Sequence, residues 1–433
     1  MTVATTQSLD AGTSPSGQSL RALDAVNFLI AGLLAGFGPF IALFLTDEAW
    51  SSANIGYVLS AGSIVALLSQ VPSGELLDAI RSKQLLIAVG VVMVGLSAVI
   101  VAVWPAFVPV LTAQVLLGIT GGFIGPAIAA ISLGLVGHEA LAERLGRNQR
   151  FQSIGNLTMA ALIGVVGYSL SARAMFLATG VLVVPTLFAL AQLRPSDIHY
   201  GKSVGAPDHH EITRPPRVRR LSVCGRHGLL IFAICLFLFQ MANASILPLA
   251  SETLGHGAGR QSSLIVSALV IVPQILVALI APWTGEQAQS RGRRPLLLLG
   301  FGALAIRALL FTLISDPKAL IAVQALDGVS GAVLGVLQAL VVADLTNGTG
   351  RFNLAQGLVG VVSGIGASAS TAVSGLIAQH LNGGAGFLPS AVMALVAFVV
   401  VWAFMPETQP KHHRKRAASS RPGHASGSRP GPA

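Results

Sequence analysis

The chain has 433 residues, of which 53% are hydrophobic and only 10% charged, with a formal net charge of +10. A soluble globular chain carries about 25% charged residues, so this composition excludes a string of soluble domains. Many apolar runs reach the ~20 residues that cross a bilayer as a helix, which points to a polytopic membrane protein.

In chain order, the first segment (1–23) is polar and rich in Ser, Thr and Gly. It lacks the basic n-region and cleavable apolar core of a signal peptide and reads as a disordered cytoplasmic arm. A ~20-residue hydropathy window then predicts spans near 24–46, 54–77, 84–104, 107–136, 152–172 and 174–193. The fifth and sixth are parted only by "SAR". A basic central loop, 194–227, precedes six further spans near 228–250, 261–284, 295–315, 318–343, 354–380 and 386–405. The chain closes on a basic Pro/Gly/Ser-rich tail, 406–433, expected to be disordered. The fold class is therefore all-α: twelve transmembrane helices in two six-helix bundles, 24–193 and 228–405. Cys224 and Cys235 are too few for a disulfide framework and are expected to be free.

Charge placement gives an independent check. With the N-terminus inside, inner loops and tails hold 23 of the 27 Lys and Arg, the lopsidedness that the positive-inside rule requires. Both termini are then cytoplasmic. "RPPRVRR" (Arg214 to Arg220) falls in the inner central loop, so topology explains it without nucleic acid.

The two halves repeat. Gln114, Gly118, Gly121 and Gly125 recur as Gln324, Gly328, Gly331 and Gly335 at an offset of 210, while Gly155 and Gly164 match Gly366 and Gly375 at 211. Pro39 matches Pro248 at 209. A near-constant offset across several helices indicates a duplicated six-span unit, an arrangement found in many secondary transporters. Glycine pairs such as Gly32/Gly36 and Gly121/Gly125 allow tight helix crossing, and the matched prolines kink spans one and seven.

The loops repeat too. "GELLDAIRSK" (Gly74 to Lys83) and "GEQAQSRGRR" (Gly285 to Arg294) are offset by 211. Here the chain resembles the major facilitator superfamily, whose hallmark in these loops is a Gly, an acidic residue four later, an Arg, then Gly-Arg-Arg/Lys. The first copy keeps Gly74, Asp78 and Lys83 but has Ala79, Arg81 and Ser82 at the Arg, Gly and Arg positions. The second keeps Gly285, Gly292, Arg293 and Arg294 but has Gln289 and Ser290 at the acidic and first Arg positions. "MPETQP" (Met405 to Pro410) looks like the Pro-Glu-Thr that often closes the last span. Gly155, Gly164 and Gly167 resemble a thinned form of the span-five motif of drug/proton antiporters, with Val165 in place of its proline. The resemblance implies alternating access, a latch at these loops that holds the outward-facing state, and a central cavity lined by spans one, four, seven and ten. A carboxylate such as Asp78 suits a latch, because a helix N-terminus favours negative charge; the arginines at 291, 293 and 294 serve equally well as topology anchors.

An ionisable side chain in mid-membrane costs about 2.5–3.5 kcal/mol on insertion scales, so Arg307 and Asp327 need a reason. They lie equally far from residue 317 at the tip of their hairpin, about 15 Å down antiparallel helices. One reading is a buried ion pair; the other gives Asp327 to substrate or to a proton. The neutral polar set inside the spans is Asn27, Gln70, Gln114, Asn156, Gln240, Asn243, Gln274, Gln324, Gln338 and Gln356. The resemblance favours Asn27, Gln114, Gln240, Asn243, Gln324 and Asp327 as cavity-lining, substrate-binding residues. Interhelical bonding is the structural alternative for each.

No Walker-type loop, Cys/His metal cluster or Gly-x-Ser-x-Gly elbow is present, so no cofactor, metal or enzymatic activity is expected. His209, His210, His412 and His413 fall in the loop and tail. The expected function is secondary transport of a small organic solute in the inner (plasma) membrane, with protons as a plausible partner and Asp24, Asp78 and Asp327 as the candidate carboxylates. A monomer is expected. Export of an amphiphilic, neutral or weakly cationic compound is preferred to uptake of a small metabolite; a transport-inactive receptor or scaffold is the alternative of another class.

Overall fold

A computed structural model describes residues 15–35, 37–169, 172–205, 227–255, 262–314, 316–378 and 386–409. The start of the expected N-terminal arm, the basic part of the central loop, nearly all of the tail, Gly36, Cys224 and His209, His210, His412 and His413 lie outside these residues.

Twelve spans are present among the described residues. α1 (Gly17–Ala35) and α2 (Gly38–Asp47) form the first, α3 (Ser52–Ala79) the second and α4 (Lys83–Val103) the third. α5 (Phe107–Ser169) is two spans joined at Gly137. α6 (Ala172–Val181) and α7 (Val183–Ala191) form the sixth, followed by a 3-10 turn at Pro195–Asp197 and the one-turn α8 (Tyr200–Ser203). The second half contains α9 (His227–Asn243) with α10 (Ile246–Gly255), α11 (Ser262–Arg291), and α12 (Arg294–Leu313). It ends with α13 (Pro317–Val323) continued by α14 (Ala325–Thr346), α15 (Phe352–Ala378) and α16 (Leu388–Phe404). Among the described residues, nine helices are long and apolar enough to cross a membrane by length and composition. Leu68, Val184, Leu279 and Trp402 are among many large apolar side chains left exposed, as an outer surface solvated by lipid tails requires. The protein is a multi-pass integral membrane protein.

Two differences from the expected map matter for the site. The fifth span begins at residue 138, well before the expected 152, because Gly137 takes φ +69°, ψ −178° and starts a new helix there. A left-handed φ of this kind is open to glycine at little cost. Arg144, Arg147 and Arg150 thus sit on a helix, and the hydropathy window saw only its apolar end. Likewise Gly74, Asp78, Gly285 and Gln289 lie on the last turns of α3 and α11, leaving only residues 80–82 and 292–293 as turn.

The duplication is visible in packing. Gly155 meets the backbone of Phe28, and Gly366 meets that of Phe237. Gly118 packs on Gly62 and Gly328 on Pro273. Each pair repeats at 209–211 residues, so the two bundles are assembled by the same glycine contacts. The close approaches between bundles include Gly74 on Asn353, Gly357 and Gly360 on Gln70, Gly364 on Leu67, Gly285 on Ala142, Gly146 on Ala281 and Gly335 on Gln149. All of these fall in the half of each helix nearest Asp78, here called the Asp78 end; the opposite end carries Trp50.

Candidate functional site

At the Asp78 end, α3 runs into the N-terminus of α15. The Asp78 carboxylate accepts from the backbone N–H of Asn353 (3.1 Å) and of Leu354 (2.9 Å) and from the Asn353 Nδ2 (2.8 Å). The first N–H groups of a helix have no intrahelical partner, so Asp78 supplies the acceptor that α15 lacks, from the other bundle. One turn earlier, a Cβ on Gly74 would lie 2.5 Å from the Asn353 carbonyl oxygen. Glycine is what lets the two backbones touch. Lys83 is buried and donates to the Leu77 and Ile80 carbonyls (2.8 and 3.2 Å), closing the turn between α3 and α4.

A second tie was not legible in the sequence. The Tyr200 hydroxyl donates to the Asp78 carbonyl at 2.6 Å, and Lys83 Nζ lies 5.0 Å from the Tyr200 ring centroid. Burial first, then the nearby Asp78 charge, raise the Tyr200 phenol above its ordinary range, so it stays a donor at neutral pH. The chain then crosses to the other bundle: Phe352 N–H donates to the Val204 carbonyl (3.2 Å) and Gly350 N–H to the Gly205 carbonyl (3.3 Å). Residues 199–205 thus form a strap across the Asp78 contact. No motif or hydropathy signal marks it; backbone carbonyls do the bonding.

The repeated contact, α11 on α5, is built differently. A Cβ on Gly285 would lie 2.5 Å from the Ala142 carbonyl oxygen, matching Gly74 on Asn353. At the Asp78-equivalent position, Gln289 donates through Nε2 to the Glu139 carbonyl. It brings no charge to a helix N-terminus. Arg293 pairs with Asp344 (Nε–Oδ2 2.9 Å, both buried) inside the second bundle. Glu407 accepts from the backbone N–H groups of Arg293 (2.9 Å) and Arg294 (3.1 Å), capping α12 beside Gly292, whose φ is +97°. Arg293 and Arg294 of the second copy therefore stiffen one bundle. Tyr200 and Gln409 are counterparts, since Gln409 Nε2 donates to the Gln289 carbonyl at 2.7 Å.

In the membrane interior, Arg307 is 1% exposed and gathers three acceptors: Asp327 Oδ1 (2.6 Å), Asn243 Oδ1 (2.6 Å) and Gln324 Oε1 (2.9 Å). Asp327 keeps a quarter of its side chain accessible. Gln324 sits at the break between α13 and α14, with Nε2 buried and unbonded. Asn27 is fully buried, donates to the Leu23 carbonyl (2.7 Å) and accepts from Gln152 (2.9 Å). Gln114 is buried against Gly62, and Gln240 is half-buried on α9. Asp24 of α1 pairs with Arg144 (2.5 Å) and Arg147 (2.6 Å) of α5, and Arg144 continues through Asn148 to Ser132.

Between the bundles lies a cavity of about 290 Å³. α3, both arms of α5, α14 and α15 form its walls, with Gln70, Asn148, Gln149, Gln152, Gln338 and Gln356 as its polar groups. None of the six residues favoured as cavity-lining reaches it. Gln70, Gln338 and Gln356 belonged to the wider polar set. Asn148, Gln149 and Gln152 were missed, two of them because 137–151 read as a loop; the signal that could have found them is the polar run "RNQRFQ" continuing a helical register.

With this geometry in place, comparison with known proteins decides the family. A family model of the Major Facilitator Superfamily matches residues 23–285 and 229–430. The chain belongs to the major facilitator superfamily. Over 399 residues it is 33% identical to an uncharacterized MFS-type transporter of Mycobacterium tuberculosis, covering 92% of this chain and 95% of that one. It is 30% identical over 141 residues to the class B tetracycline resistance protein of Escherichia coli, a third of each chain. It is also 28% identical over 173 residues to the multidrug resistance protein MdtG of Enterobacter lignolyticus, covering 39% and 41%. Among solved structures, the proton:xylose symporter XylE bound to 6-bromo-6-deoxy-D-glucose superposes with a TM-score of 0.69 at 13% identity, covering 90% of this chain and 97% of that one. That likeness shows the fold. The protein is an MFS transporter.

Proposed function

We propose that the chain is a secondary active carrier that moves a small organic solute by alternating access and works as an exporter coupled to protons. The observation that carries this reading is the cavity between the bundles, walled by helices of both halves, together with close glycine contacts between bundles that, among the described residues, gather at the Asp78 end. The Asp78 end is the cytoplasmic one, as the Lys and Arg distribution suggests, so both termini are cytoplasmic and the carrier rests open towards the outside of the inner membrane. Gly74, Asp78 and Lys83 form the latch of that state, with the 199–205 strap across it. The functional units are the bundles 24–193 and 228–405, joined by the cytoplasmic loop 194–227 and flanked by the arm 1–23, whose last residues from Gly17 already belong to α1, and by the tail 406–433, in a monomer. Partial similarity to tetracycline and multidrug resistance proteins supports export. Asp327 is the carboxylate suited to proton coupling, being partly accessible while paired to Arg307; Asn243 and Gln324 act with it through the same guanidinium.

The test is flux in proteoliposomes under an imposed pH gradient, with wild type and Asp327→Asn compared. Solute movement driven by the gradient in the wild type and uncoupled in the variant is the expected result. Gradient-driven movement that is the same in both removes Asp327 from coupling, and no solute movement under any condition counts against a carrier.

A further inference from the structure

The cavity has a chemistry that no motif announces. Its polar groups are all carboxamides. Asn148 and Gln152 are already bonded, to Arg144 and Ser132 and to Asn27. Gln70 and Gln149 from the first bundle and Gln338 and Gln356 from the second make no side-chain hydrogen bond among the described residues. Gln356 is 7% exposed, and Gln70 Oε1 is enclosed without a donor. Gln149 and Gln338 are half-buried, like the rest of Gln70; polar groups shielded from solvent are almost always satisfied, so the four amides hold unused hydrogen-bonding capacity that a polar guest can take.

The room for them is built in. Gly335 leaves the space that Gln149 enters, and Gly360 the space that Gln70 Oε1 enters, each from the opposite bundle. A methyl group at either position would displace the amide. The remaining lining is glycine, proline and aliphatic, with no aromatic ring and no charged side chain. An ion would enter without a counter-charge, and a planar aromatic without a stacking partner. Each carboxamide offers two donors and an acceptor, so the complementary guest carries groups that do both, as hydroxyls do. The volume equals that of about ten water molecules, at the small end of ligand sites.

Resting on the carrier reading above, we infer that this cavity is the substrate site and that the substrate is a small, neutral, polyhydroxylated solute held by Gln70, Gln149, Gln338 and Gln356. Two amides come from each bundle, so one guest touches both halves and responds to their relative position. The inference narrows the amphiphilic expectation to solutes that are polar on most faces.

The test uses the full-length protein in detergent and follows thermal unfolding with three probe groups. These are neutral polyols and sugars (sorbitol, glucose, maltose), charged counterparts (gluconate, glucosamine) and a planar cation (ethidium). Saturable stabilisation by a neutral probe alone is expected. Gln149→Leu or Gln338→Leu should weaken it about threefold to tenfold, the loss of one hydrogen bond, while the exposed Lys318→Gln leaves it unchanged. Gln338→Asn keeps an amide one methylene short; it should unfold at the wild-type temperature without probe yet bind more weakly, which separates recognition from misfolding. Stabilisation by gluconate or ethidium that survives the Leu variants overturns the inference. So does neutral binding indifferent to them, or no neutral response at all. Flux separates the two levels. A probe carried at equal rate by wild type and amide variants sinks the amide site and leaves the carrier standing. Saturable, amide-dependent binding without any flux leaves the site and sinks the carrier.

Discussion

Replacing Asp78 with asparagine removes a charged group that α3 presents to the N-terminus of α15. The carboxylate receives three donors within 3.1 Å, two of them backbone N–H groups. An asparagine oxygen can keep the Asn353 pair as neutral hydrogen bonds, but its NH2 then faces the Leu354 N–H, donor against donor. An unsatisfied buried donor costs about 1–3 kcal/mol, and loss of the favourable charge at a helix start adds about 0.3–1 kcal/mol. The sum, about 3 kcal/mol, shifts the balance between closed and parted bundles roughly 150-fold towards parting. Double electron–electron resonance between labels at Ser82 and Asn347, exposed on either side of the contact, reads that balance directly. Asp78→Asn should enlarge the long-distance population, and Gln289→Ala, its counterpart in the other loop, should change it far less. A distance distribution untouched by Asp78→Asn would refute the latch, however well the variant folds.

Gly74→Val should also part the bundles, because its Cβ meets backbone and cannot be relieved by a rotamer change; crosslinking between Ser82→Cys and Asn347→Cys should fall. Tyr200→Phe loses one bond to the Asp78 carbonyl, about 1 kcal/mol, and should raise the parted population about fivefold by the same resonance measurement. Asp327→Asn leaves Arg307 buried without its counter-charge, a loss of about 3–5 kcal/mol for a broken buried pair, tempered here by Asn243 and Gln324. The unfolding temperature in detergent should drop, and Arg307→Leu in the same chain should recover much of it. Asp197 is held below the usual carboxylate range by the hydroxyls of Ser16 and Ser19 and the Ser16 N–H. A depressed folded pKa gives stability that is present at neutral pH and lost as pH falls through it. After correction for intrinsic exchange, amide protection at the start of α1 should therefore fall on acidification, and Asp197→Asn should abolish that dependence.

The spans, their number and the two-fold repeat were legible because lipid imposes length and hydropathy on every crossing helix, and because duplication leaves glycines at a fixed offset. Asp78 could be singled out as the charged half of a degenerate pair, since Gln289 occupies the matching place. Arg307 and Asp327 could be matched by depth, as two antiparallel helices fix the height of each residue. Where hydropathy carried no contrast, reading failed. The polar start of the fifth span looked like a loop until Gly137 turned it into a helix, and with it went Asn148 and Gln149. The strap was invisible because Val204 and Gly205 act through their carbonyls.

Sequence by itself determined the solvent, the twelve crossings, the duplication and the charge asymmetry, all properties carried by local composition and period. Tertiary structure alone decided which amides converge. Gln324 and Asn243 turn to Arg307, Asn27 turns to Gln152, and the cavity is left to Gln70, Gln149, Gln338 and Gln356. The physical reason is rotational: a uniformly apolar helix in lipid gives little signal of which face points inward, so only packing against its neighbours, glycine against backbone, fixes where each polar side chain looks.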